Sequence, residues 1–254
     1  MDHATTMSPS IAVFADSDVG LFCVKWLVST HKDDVGVVVT TGHNDIYHLA
    51  EESGVKTHVF QDDKSYLQYI GDEGVIADLG LLLWWPKIIK SSLINSAKSG
   101  FVNTHPSLLP YNRGKHPNFW ALVEHCPFGV SLHLVEEGID CGNIVAQKEI
   151  SYTWEDTGET LYRKAIAETK RLFVETYPDL RRLIFGSKAQ YLSRGSIHFS
   201  SELEAVSRIS LDEHTTPRQL LNLLRARTFE GHPACSFCDD DVEYEVRIAI
   251  TRKK

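Results

Sequence analysis

The chain has 254 residues, with 26 Lys or Arg against 34 Asp or Glu and a net charge of −8. That length allows one sizeable core with a small appendage, and the acidity, with no basic stretch beyond Arg252-Lys253-Lys254, argues against nucleic acid as a partner. No run approaches the roughly 18 apolar residues of a membrane span; the N-terminus lacks a signal peptide's basic start and apolar run. The five scattered cysteines make no disulfide framework, so a cytoplasmic protein with no membrane partner is expected.

Ile11 to Ala15 is a short apolar run, followed by helical apolar spacing from Val19 to Val28. Val35 to Thr40 reads as a second strand, Asn44 to Glu52 as a helix and Thr57 to Phe60 as a weaker third strand. The apolar stretch Val75 to Trp85 contains a fourth strand. From Lys87 to Lys98, residues Ile88, Ile89, Leu93, Ile94 and Ala97 recur at helix spacing, and Gly100 stops the pattern. This alternation predicts an α/β fold with a Rossmann-like, mostly parallel sheet. Asp16-Ser17-Asp18-Val19-Gly20 stands where a dinucleotide fold carries its glycine-rich turn, and its two acids would repel a pyrophosphate.

An apolar run then ends in Asn103-Thr104-His105 and a Pro106-Ser107-Leu108-Leu109-Pro110 loop. Asn103 and His105 share one face of a strand, at the carboxyl edge where open α/β sheets bind ligands. Pro117 opens a helix running to about His125. Strands from Phe128 to Val135 and from Ile144 to Ser151 flank a loop that holds Asp140 between Gly138 and Gly142. Amide, imidazole and carboxylate are the groups acyl transfer needs. His133 alternates along its strand and reads as structural. Asp156-x-x-Glu159 fits a capping box before a long helix, with Leu161, Ala165, Leu172, Leu180 and Ile184 near helical spacing and a kink expected at Pro178. Beyond Gly186 the pattern changes, which predicts a catalytic domain over 1–186 and a small module over 187–254. The module reads as a helix from Leu220 to Arg227, capped at Thr216-Pro217, and a β-hairpin, Cys235 to Cys238 and Glu243 to Ile250, around Asp239-Asp240-Asp241. Cys235 and Cys238 would face opposite ways on a strand, there is no second pair, and no metal is expected. A hairpin is marginal alone and needs its apolar face covered, by the chain's own main domain or by a second subunit; a homodimer is expected.

Asn103-x-His105-Pro-Ser-Leu-Leu-Pro-x-x-Arg113-Gly114, Gly129-Val-Ser-Leu-His133 and Asp140-x-Gly142-x-Ile144 together resemble the N10-formyltetrahydrofolate-dependent formyltransferases. That family includes glycinamide ribonucleotide, methionyl-tRNA and nucleotide-linked amino-sugar formyltransferases. The resemblance implies that Asn103, His105 and Asp140 are catalytic, with either His105 or Asp140 taking the proton. It implies that N10-formyltetrahydrofolate, as co-substrate, lies between Trp84-Trp85-Pro86-Lys87-Ile88-Ile89 and the loop before Asp140, with Trp84, Trp85, Ile88, Leu108, Glu136 and Ile139 as contacts. The segment Asn112 to Trp120 looks like the nucleotide-sugar branch, which implies Ser107, Arg113, Lys115, Asn118 and Trp120 as substrate contacts. Leu224 to Phe229 resembles the family's C-terminal module; Arg225, Arg227 and Phe229 either contact a nucleotide or stabilise an interface. The expected reaction is formylation of a nucleotide-linked, dTDP-linked, amino-deoxysugar in surface glycan synthesis. Methionyl-tRNA formyltransferase and a non-catalytic folate or nucleotide-binding protein are the alternatives.

Overall fold

The computed structural model describes residues 8–253. Its first half is β1 (Ile11–Ala15), α1 (Ser17–Thr30), β2 (Val35–Thr40), α2 (Asp45–Glu52), β3 (Thr57–Val59), α3 (Asp63–Asp72), β4 (Leu79–Leu83), α4 (Ser91–Ile94) and β5 (Phe101–His105). Then follow β6 (Arg113–Gly114), α5 (Pro117–Val123), β7 (Gly129–Leu134), β8 (Ile144–Glu149), α6 (Gly158–Leu180), β9 (Ile197–His198), α7 (Ser200–Ser207), α8 (Pro217–Arg227), β10 (Cys235–Asp239) and β11 (Val242–Val246). Seven strands form one sheet in the order β3-β2-β1-β4-β5-β7-β8. The pairs β1–β2, β1–β4, β2–β3 and β4–β5 are parallel, as the alternation of strands and helices predicts. The order reverses beside β1, the switch point at which such sheets bind ligands.

The chain divides into two compact units. The first comprises the described chain up to His105, with Leu132–Ala146 and Thr169–Ala189; the second comprises Pro106–Ser131, Gln147–Glu168 and the chain from Gln190 on.

In the first unit every residue of β1 is buried. Phe14 lies edge-on to Phe60, Tyr66, Trp85 and Phe101, at 6.0, 4.8, 5.2 and 5.5 Å between ring centres. Gly80 is required there, because a Cβ would sit 2.2 Å from the Phe101 ring. The same unit holds a buried carboxylate, Asp34, which accepts hydrogen bonds from Tyr177 Oη at 2.9 Å and from Arg181 Nε and Nη2 at 2.7 and 2.8 Å. Burial works to raise this carboxyl, but the Arg181 and Tyr177 hydrogen bonds and the Arg181 charge outweigh it and hold the group below the usual carboxylate range.

Several local expectations change. The apolar spacing from Lys87 to Lys98 does not make one helix. The chain runs irregularly past Pro86, and the short α4 starts only where Asp63 accepts a hydrogen bond from the Lys90 amide at 2.8 Å. The capping box of α6 lies one residue later than expected, between Thr157 and Thr160, whose hydroxyls bond each other's amides at 2.9 and 3.3 Å. Pro178 lies inside α6, which continues past it to Leu180. The helix α3, not expected from spacing, is fixed by reciprocal bonds between Asp62 and Ser65. The last strand, β11, is shorter than expected and pairs Val242, Tyr244 and Val246 with Asp239, Phe237 and Cys235.

Candidate active site

Four polar side chains meet within the first unit. Asn103 and His105 come from β5, His133 from β7, and Asp140 from the loop that follows. That loop is tied shut by the Leu134 amide on the Asn143 carbonyl at 2.8 Å. Gly142 must be glycine, because a Cβ would sit 1.9 Å from the Leu134 carbonyl oxygen. Asp140 itself is left-handed at φ 47°, a conformation that Asp tolerates better than most residues.

The turn brings the Asp140 carboxylate to both imidazoles. Its Oδ2 is 3.5 Å from His105 Nδ1 and its Oδ1 is 3.4 Å from His133 Nε2. The His105 and His133 side chains are 7% and 3% exposed, so both contacts are largely shielded from water. His133 Nδ1 lies 2.8 Å from the Leu134 carbonyl, which only accepts, so Nδ1 carries a proton. In the neutral ring Nε2 is then an acceptor, and it faces Asn103 Nδ2 at 3.2 Å. Protonating Nε2 would favour Asp140 and take the acceptor from Asn103. The charge on His133 and the orientation of the Asn103 amide are therefore coupled.

His133, expected to be structural, touches two of the three expected catalytic groups, Asn103 and Asp140. Its alternation could not reveal this, because the first five residues of β7 are all buried and both faces look alike. The available signal was a histidine near the end of a strand beside the one ending in His105.

Around this cluster, the expected folate contacts of the first unit fall on two neighbouring loops. Ser91 Oγ donates to the Glu137 carboxylate, joining the segment after β4 to the loop before Asp140. Trp84, Trp85 and Ile139 are half-buried, and Glu136 is exposed. Trp85 is partly committed to the core, edge-on to Phe14 and Phe60. Ile88 is 84% exposed and borders a cleft of about 580 Å³ with Phe60, Lys64 and Lys87.

The remaining expected residues lie in the second unit. Leu108 is half-buried, while Ser107 is buried and accepts from Ser131 Oγ at 2.7 Å through its carbonyl. Arg113 is half-buried and Lys115 exposed. Asn118 donates to the Gly158 carbonyl at 2.9 Å. Trp120 is buried and stacked on His198 at 3.7 Å. Phe229 packs on Tyr162 and His232. Arg225 is 2% exposed; it donates to the carbonyls of Thr153 and Asp156 at 2.6 and 3.3 Å and to Asn222 Oδ1 at 3.0 Å. Burial lowers its guanidinium below the usual range, and of the two roles expected for Arg225 these contacts match the structural one. Among the described residues no group of three or more His, Cys, Asp or Glu could hold a metal ion, and no helix is long and apolar enough to cross a membrane.

The formyl transferase family profile matches residues 12–177, and that of the N-formyltransferase dimerization C-terminal domain matches residues 202–252. The chain belongs to the formyl transferase family. A methionyl-tRNA formyltransferase of Thermodesulfovibrio yellowstonii is 32% identical over 165 residues, 65% of this chain and 52% of that protein. A dTDP-4-amino-4,6-dideoxyglucose formyltransferase of Mycobacterium bovis is 28% identical over 138 residues, 54% of this chain and 58% of that protein. The match thus spans little more than half the length of these curated relatives. A 4-N formyltransferase from Francisella tularensis shares the fold, with a TM-score of 0.80 at 23% identity over 96% of this chain and 99% of that one. So does an N-formyltransferase from Helicobacter canadensis solved with folinic acid and dTDP-3-aminofucose, with a TM-score of 0.69 at 18% identity over 91% of this chain and 84% of that one.

Proposed function

We propose that this formyl transferase moves the formyl group of N10-formyltetrahydrofolate to the amine of a nucleotide-linked amino-deoxysugar, with dTDP as the nucleotide. The observation that carries this reading is the convergence of Asn103, His105 and Asp140 at one sheet edge, with the Asp140 carboxylate 3.5 Å from His105. The chemistry is attack of an amine on the formyl carbon. As the carbonyl oxygen gains negative charge, Asn103 Nδ2 and the His105 imidazole donate to it. Each such donor is worth about 10²–10³ in rate. The attacking amine then loses a proton to His105 or Asp140, directly or through one water, and the tetrahedral intermediate collapses with breakage of the C–N10 bond as that proton passes to N10, releasing tetrahydrofolate. The half-buried Asp140 carboxylate also stabilises positive charge on either imidazole. The folate is assigned to the slot between the Trp84–Ile89 segment and the loop before Asp140, which the Ser91–Glu137 link joins; the Helicobacter relative was solved with folinic acid. Arg113 and Lys115 are assigned to the diphosphate.

The catalytic part is assigned to residues 1–186 and the small module to 187–254, in keeping with family matches over 12–177 and 202–252. The second match supports a homodimer formed through the module, and a cytoplasmic role in surface glycan synthesis follows from the substrate.

The methionyl-tRNA relative, at 32% identity, favours a second reading in which the acceptor is methionyl-tRNA. Electrostatics weighs against it. A tRNA-binding protein gains affinity from Lys and Arg neutralising phosphates, and this chain has 26 basic against 34 acidic residues. A competition assay at moderate salt, with both acceptors and formyltetrahydrofolate, separates the two. Formylated dTDP-amino sugar is expected; transfer to methionyl-tRNA with none to any amino-sugar nucleotide overturns the proposal.

A further inference from the structure

Between two catalytic residues lies one with no part in the chemistry. Thr104 points away from Asn103 and His105 on β5 and is 4% exposed. Its hydroxyl donates to the Leu82 carbonyl at 3.1 Å and accepts from the Trp84 amide at 2.9 Å. It therefore bridges two backbone groups of the neighbouring segment, at the point where that segment leaves the sheet. The β4–β5 pairing ends with Leu82 opposite Asn103, and Trp84 cannot extend it, because its φ is 57°. A left-handed tryptophan is a true outlier, since a bulky side chain pays for a conformation that glycine adopts freely. Such strain persists only where the surroundings hold it, and it points to function. Here the surroundings are identifiable. Leu83 is buried in the sheet, Trp85 is fixed edge-on against Phe14 and Phe60, and the Thr104 hydroxyl holds the amide between them.

We propose that Thr104 is a positioning residue for the folate: it clamps the left-handed turn at Trp84 and so sets the edge of the slot beside His105. This rests on the assignment of the folate to that slot. The clamp acts on binding rather than on the chemical step, because it touches neither the formyl group nor the proton path. Losing both hydrogen bonds should weaken folate binding about tenfold.

The test compares wild type, Thr104→Val and Thr104→Ser. Val keeps the shape and loses the hydroxyl; Ser keeps the hydroxyl. Binding of 5-formyltetrahydrofolate is followed by quenching of tryptophan fluorescence, and KM and kcat are measured with formyltetrahydrofolate. Thermal unfolding shows that each variant is folded. Thr104→Val is expected to raise Kd and KM about tenfold with kcat within about threefold, and Thr104→Ser to restore both. If the wild type binds 5-formyltetrahydrofolate and Thr104→Val binds it equally well, the clamp is refuted while the folate assignment stands. If Thr104→Ser is as weak as Thr104→Val, the methyl rather than the hydroxyl matters, and the clamp again fails. If the wild type binds no folate, the assignment fails and the clamp with it.

Discussion

The link between Asn103 and His133 gives a sharp test of how the site is held. Asn103→Ala removes the donor proposed for the formyl oxygen and is expected to lower kcat by about 10²–10³. His133→Ala removes the acceptor that lies 3.2 Å from Asn103 Nδ2. A neutral hydrogen bond contributes about 1 kcal/mol, which is about fivefold in rate when about 1.4 kcal/mol is tenfold. The 3.4 Å contact with Asp140 adds a comparable amount, so His133→Ala alone should cost about 5- to 30-fold. Much of that cost passes through Asn103. Adding His133→Ala to Asn103→Ala should therefore cost only the Asp140 share, about fivefold at most. The assay is kcat with formyltetrahydrofolate and a dTDP-amino sugar both saturating, with near-UV circular dichroism to establish that each variant is packed. An equal cost of His133→Ala in both backgrounds would refute the coupling read from the geometry.

Asp140→Asn should be nearly inactive although almost isosteric, because an amide can neither take the proton nor stabilise charge on His105 and His133; near-normal kcat in the folded variant removes Asp140 from the mechanism. Arg181→Met should destabilise by about 3 kcal/mol, the lower end for breaking a buried pair, because Asp34 is buried but Arg181 is 32% exposed; urea unfolding at neutral pH measures this. The folded Asp34 carboxyl lies below its unfolded value, so its stabilisation is present above about pH 4 and is lost as pH falls through the folded value. Arg181→Met should accordingly flatten the wild type's loss of stability below that pH, and an unchanged acid limb would contradict the assignment. Light scattering at micromolar concentration should give twice the 28.6 kDa chain mass; the monomer mass would rule out the dimer.

The sheet was legible because β1, β2 and β4 are nearly continuous apolar runs, the mark of parallel strands buried on both faces. The site was legible where chemistry interrupts such a run, at Asn103 and His105, and where glycines bracket a carboxylate, at Asp140. His133 was not, because the period-2 pattern carries no information in a strand with both faces buried. The segment after β4 misled for a different reason. Its apolar spacing suits a helix, but Pro86, the left-handed Trp84 and the bond from the Lys90 amide to Asp63 hold the backbone irregular. Of these, the Lys90–Asp63 bond spans 27 residues and lies outside any short window of sequence. For Arg225 the sequence leaves nucleotide contact and interface stabilisation open, and only the fold reveals the carbonyls of Thr153 and Asp156 that occupy it.

Residues 103–105 load three different tasks onto three consecutive positions of β5, with the middle one turned to the opposite side. Such a segment has no tolerance for a change of length. Deleting or inserting one residue within it would exchange the two sides of the strand, carrying the amide away from His133, the imidazole away from Asp140 and the hydroxyl away from Leu82 at a single stroke. Substitutions can be sampled one at a time here, but insertions and deletions cannot. Lineages that diverge freely in the loops on either side should keep this short stretch in fixed spacing, which makes it the natural anchor from which any comparison of distant members should be laid out.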